Sequence, residues 1–138
     1  MIFFNKYVLL WLMVAAIIVG IGSLNCPSLF RLVTRGVSSQ GTVIALTPEL
    51  HNTVRYEYHV AGEVITGQNQ CWPPNPPLER LSVGQSVAIY YDPRNPKDSV
   101  LGNPKPMLEN EIGSVLVAAV MIPTLITFAF AGWWRKHA

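Results

Sequence analysis

The chain has 138 residues, half of them hydrophobic and only 13% charged. That length holds one small core and no second. A formal net charge of +2, with lysines and arginines scattered rather than striped, excludes a nucleic-acid partner as the organising theme.

The first element is an apolar run, residues 7–24, without a single charged side chain. A helix needs roughly 20 mostly apolar residues to cross a bilayer, so the run is long enough for a transmembrane helix. Lys6 ahead of it imitates a signal peptide, but the run is too long for a signal core and no small-x-small site closes it. Asn25 before Cys26 also argues against a lipoprotein site, leaving an uncleaved anchor preceded by a short tail, residues 1–6. Residues 25–36 read as a juxtamembrane segment. Pro27 suits a first helical turn, Leu29, Phe30, Leu32 and Val33 are apolar, and Arg31 and Arg35 are placed to snorkel towards headgroups.

Strand signals fill residues 37–103. GTVIAL, residues 41–46, is short and β-branched, and Pro48 and Asn52 mark the turn after it. TVRYEYHV, residues 53–60, alternates Val54, Tyr56, Tyr58 and Val60 with Arg55, Glu57 and His59, as a strand with one wet face does. Ala61-Gly62 turns it into EVITGQ, residues 63–68. A simple two-residue loop sets Tyr58 opposite Ile65 and Tyr56 over Gly67; a bulge on Gly62 is the alternative, because Ala61 resists a positive φ. NQCWPPNPP, residues 69–77, carries four prolines in five positions and breaks the pattern. Trp72, Pro73, Pro74, Pro76 and Pro77 form either a presented recognition loop or a stiff cover in which Trp72 packs over the open end of a barrel. SVAIYY, residues 86–91, is a second apolar strand, with turn chemistry at Asp92-Pro93 and Asn95-Pro96 and a last short strand at 99–101.

Residues 104–111 read as a linker, with Glu109 and Glu111 suited to a helix start. A second uncharged run, residues 112–134, contains Pro123, and residues 135–138 form a basic tail. Ala16 and Gly20 on the first run, and Ala118 and Ala119 on the second, offer small surfaces for helix pairing. Two spans put both tails on one side. Lys6, Arg135, Lys136 and the aromatic residues Tyr7, Trp11, Trp133 and Trp134 favour cytoplasmic tails and an extracytoplasmic domain, against Arg31, Arg35, Lys97 and Lys105 on the domain side. The absence of charged groups in either run points to anchors rather than a transport path.

The fold class expected is an α+β membrane protein, two transmembrane helices flanking a small five-stranded antiparallel sheet or partly closed barrel. The order of elements resembles the two-pass, mostly bacterial membrane proteins of the domain of unknown function 3592 family. The resemblance rests on GTVIAL, on VRYEYHVAGEVITG, and above all on LSVGQSVAIYYDPRNPKDSVL with its Tyr-Asp-Pro-x-Asn-Pro ending. It implies a fold and a membrane location, and supplies no reaction and no catalytic residue.

The residues themselves offer little chemistry. Asp92 suits a turn cap better than an acid, His59 a surface pair better than a base, and His51 has no second ligand at metal spacing. No phosphate loop, nucleophile elbow or paired-His motif is present, so no cofactor or metal is expected. Cys26 and Cys71 are the one pair available for a disulfide, with two free thiols as the alternative. The expected role is a non-enzymatic binding or assembly module. Its partners are the lipid bilayer, another membrane or envelope protein, or a second copy, and an accessory membrane enzyme is the alternative.

Overall fold

A computed structural model describes residues 5–137. The tail before Asn5 and Ala138 lie outside the described residues, as do the side chains of Trp134, Arg135 and His137, and with them most of the expected basic tail. The chain divides into two compact units, one built from the chain up to Cys26 and from Glu109 on, the other Pro27–Leu108.

The second unit is an α+β domain. It opens with helix α2 (Cys26–Arg35) and continues as strands β1 (Val37–Thr47), β2 (Thr53–Val60), β3 (Glu63–Gln70), β4 (Ser86–Asp92) and β5 (Asn95–Leu101). All neighbours are antiparallel in the order β3-β2-β1-β4-β5, a nearly closed, barrel-like sheet. The β2–β3 hairpin is the simple two-residue form, with Ala61 at φ 51° and Gly62 at φ 86°. Ala61 therefore accepts the left-handed region, and the alternative bulge does not form. The register sets Tyr58 opposite Ile65 and Tyr56 opposite Gly67. A Cβ on Gly67 would lie 2.5 Å from the Tyr56 ring, so the absent side chain is what lets the ring lie flat across β3.

The barrel interior follows the alternation read from the sequence. Val54, Tyr56 and Tyr58 are fully buried, joined by Val43, Leu81, Val87, Ile89 and Leu101. Each such apolar side chain contributes about 1.5–3 kcal/mol on burial. Tyr58 stacks between Tyr56 and Tyr91 at centroid distances of 5.9 Å. The buried hydroxyls are satisfied: Tyr56 Oη meets Ser99 Oγ at 3.0 Å, and Tyr58 Oη donates to the Pro96 carbonyl.

Three strands are longer than their sequences suggest. β3 runs on through Asn69 and Gln70, expected in the pattern-breaking segment, because they pair with Val54 and Thr53 of β2. β1 begins at Val37 because Ser38, Ser39 and Gln40 pair with Tyr90, Ile89 and Ala88 of β4. β5 begins at Asn95 and tolerates Pro96 because it is an edge strand. Residues 104–111, expected as a linker, are helical. Asn103 Oδ1 accepts the Lys105 amide at 3.0 Å, as an N-cap does, and Pro104 and Pro106 fall in the first turn, where amide hydrogens have no partner to lose.

The first unit pairs α1 (Lys6–Gly22) with most of α3 (Pro104–His137). Among the described residues one helical segment, Pro104–Trp133, is by itself long and apolar enough to cross a membrane, and the helix continues through Pro123; α1 and α2 reach that length only together, across a 50° bend. α1 has 17 residues. At 1.5 Å per residue it is about 25 Å long, short of a hydrocarbon core of about 30 Å. Trp11 Nε1 donates to Thr124 Oγ1 at 3.1 Å, and Ala119 and Pro123 are buried. The expected Ala16 and Gly20 contact is corrected: both are exposed, and a Cβ on Gly20 would meet nothing within 4 Å. The small residue that matters is Gly22, where a Cβ would lie 2.7 Å from Val115 Cγ2. Trp11, Ala15, Ile18 and Gly22 are half-buried, so the contact stripe does not run through Ala16 and Gly20.

Candidate interaction surface

Three surface regions of the barrel unit carry its polar chemistry. The first is the proline loop. Its backbone is tied down: Trp72 N donates to Leu101 O at 3.0 Å, and Asn103 N to Pro73 O at 2.9 Å. Asn75 makes a two-pronged bond to Ala88 of β4, 2.7 Å each way, completing backbone groups that β5 is too short to reach. Trp72 is half-buried in a second apolar cluster with Leu29, Leu32, Tyr90, Val100 and Met107. Gly102 (φ 110°) allows this approach, since a Cβ there would fall 2.2 Å from Trp72 O. Of the residues singled out in the sequence, Pro73, Pro74 and Pro77 are exposed, while Trp72 and Pro76 are half-buried. The loop is a cover with a proline crest.

Both cysteines are free thiols. Cys71 is half-buried and donates to Pro76 O at 3.2 Å; burial pushes its thiol pKa up, away from the reactive thiolate.

The second region joins α2 to the end of β4 and to β5. Arg35 grips Asp92 with two bonds, Nε to Oδ1 at 2.9 Å and Nη2 to Oδ2 at 2.5 Å. Asp92 is fully buried and also accepts the Arg94 amide at 3.0 Å, so it caps its turn as expected. The Arg35 hydrogen bond, aided by the Arg94 amide, holds the Asp92 carboxyl below the usual carboxylate range. Arg31 Nη2 meets Asp98 Oδ2 at 3.2 Å, and Ser28 donates to the same carboxylate. The snorkelling expected of Arg31 and Arg35 is thus corrected: both guanidinium groups turn to the barrel. The two partners lie 57 and 67 residues away, a separation at which no local pattern announces a pair.

The third region is the seam between β3 and β5. These strands approach without pairing, and at one end Asn69 Nδ2 bridges them, donating to Ser99 O at 3.0 Å and to Tyr56 Oη at 3.2 Å. At the hairpin end the seam widens into a cleft of about 650 Å³ lined by residues 63–66 and 95–97. Val64 is 57% exposed beside it. His59 is exposed and opposes Val64, so it has no charged partner across the β2–β3 ladder. Among the described residues no three His, Cys, Asp or Glu side chains converge as metal ligands would.

These features define a small antiparallel barrel carrying an apolar helix that can cross a membrane. Residues 31–106 match the family model described as Domain of unknown function (DUF3592), and the chain belongs to that family. The matched segment starts at Arg31 and so takes in Arg35, Asp92 and Asp98 together with the whole sheet. No curated protein and no solved structure matches the chain.

Proposed function

We propose that the protein is a non-enzymatic, two-pass membrane anchor that presents its barrel as a binding or assembly module to another membrane or envelope protein. The observation that carries this reading is the widened β3–β5 seam, where strand edges and the exposed Val64 stay available to an extended partner segment. The exposed crest of Pro73, Pro74 and Pro77 adds a second rigid surface. A structural role for the carboxylates supports the absence of catalysis, since Asp92 and Asp98 are both occupied by arginines. In this reading α1 extends to a second span, the tails are cytoplasmic, and the barrel is extracytoplasmic. Photo-crosslinkers at Val64 and Pro74 in native membranes should each yield a discrete protein adduct; adducts to lipid alone at both positions would sink the reading. Cysteines placed at Glu63 and Lys136 should react with an impermeant reagent from opposite sides.

A further inference from the structure

The exposed face of α2 is formed by Pro27, Phe30, Val33 and Thr34, with Phe30 59% and Val33 37% exposed. It carries no charge. Helical spacing puts Phe30, Val33 and Thr34 side by side, opposite the Leu29 and Leu32 stripe that enters the barrel's second cluster. Every side chain on α2 with a strong hydrogen-bonding group already has a partner inside the protein. Arg35 is bound to Asp92, and Arg31 and Ser28 to Asp98. Thr34 Oγ1, the one such group on the exposed face, donates to the Phe30 carbonyl at 2.9 Å. A face that meets water has no need of this closure; a face that meets hydrocarbon does, because nothing there replaces a missing partner. Chain length supplies the location. Three residues, 23–25, separate the end of α1 from the start of α2. At most about 14 Å, four extended chain steps from Gly22 to Cys26, therefore separates the start of α2 from the end of α1.

We propose that the Pro27, Phe30, Val33 and Thr34 face of α2 seats in the lipid interface. The ion pairs with Asp92 and Asp98 fix this helix to the barrel and keep its arginines out of the lipid. The proposal rests on the membrane reading above, and its test separates the two. The full chain, with Cys26→Ser and Cys71→Ala, receives a nitroxide at a single new cysteine: Phe30→Cys, Val33→Cys, Val117→Cys on α3, or Val83→Cys in an exposed barrel turn. Each is placed in phosphatidylcholine nanodiscs, and collision with oxygen, enriched in lipid, is compared with collision with a nickel chelate, confined to water. The Phe30 and Val33 labels should both share the oxygen-favouring ratio of Val117, with Val83 favouring nickel. Nickel-accessible labels at 30 and 33 beside a lipid-like Val117 overturn the seating and leave the anchor intact. Labels shielded from both probes overturn it in favour of a second copy or another protein on that face. A nickel-accessible Val117 overturns the anchor itself.

Discussion

In the barrel, the largest side chains with almost no exposure are Tyr56 and Tyr58, whose rings fill the interior while their hydroxyls find partners on β5. On α1 and α3 the distribution is reversed. Leu9, Ile17, Leu116, Leu125 and Phe128 are more than half exposed, Ala119 and Pro123 are buried, and the hydrogen-bonded Trp11 and Thr124 are half-buried. One unit gains stability by removing apolar surface from water. In the two-span reading proposed above the other cannot, since its apolar surface faces lipid, so close packing and a few hydrogen bonds hold the helices together. The same substitution should therefore have different consequences in the two units.

Tyr58→Asp gives the largest effect. It sets a charge among the tyrosines and should cost more than about 4 kcal/mol, enough to unfold the barrel. Protease resistance of the full chain reads this directly, with Glu57→Lys on the other face as the near-silent control. Asp92→Asn comes next, because it leaves the Arg35 guanidinium beside a buried, uncharged amide. Its thermal midpoint should fall further than that of Asp98→Asn, whose partner Arg31 is more exposed. The wild-type acid profile follows from the same pair. The folded carboxyl of Asp92 titrates below its unfolded value, so the stability it contributes is complete at neutral pH, starts to go as pH drops below about 4, and is lost as pH passes the folded pKa. An acid titration by tryptophan fluorescence should show that limb in the wild type and a weaker one in the Asn variant.

Gly67→Ala and Gly22→Val test packing in each unit. The first drives a methyl into the Tyr56 ring and should cost about 1–3 kcal/mol of barrel stability. The second pushes into Val115 and should loosen the helix pair by a similar amount, read as faster exchange or lost crosslinking between cysteines on α1 and α3, while Gly20→Val changes nothing. The smallest effect is Trp11→Phe, which deletes one hydrogen bond to Thr124; in the two-span reading it should cost about 0.6 kcal/mol, the usual worth of such a bond between helices in lipid. Equal responses to Gly20→Val and Gly22→Val would overturn Gly22 as the glycine that packs against α3.

Much of the barrel is legible in the chain because its signals are local. The alternation in residues 53–60 and 86–91 names the buried faces, and a two-residue loop at Ala61-Gly62 leaves one register that keeps the tyrosines inside. The surfaces are less so. Trp72 has no local rule that tells a presented ring from a packed one; the choice depends on Leu29, Leu32 and Val100, all distant in sequence. Arginines beside an apolar run look like snorkelling residues until the fold brings Asp92 and Asp98 to them. The prolines at 104 and 106 look like a linker until Asn103 is seen to cap the helix that holds them.

By itself, then, the sequence determined the periodicities: two apolar runs, alternating strands, and turn residues that punctuate them, all set by backbone sterics and by which side chains avoid water. Only the tertiary structure decided the partners, namely which carboxylate meets which arginine, which glycine meets which neighbour, and which half of α2 stays bare. Those choices belong to chain closure, which brings together groups tens of residues apart, and no window of sequence contains both halves of such a contact.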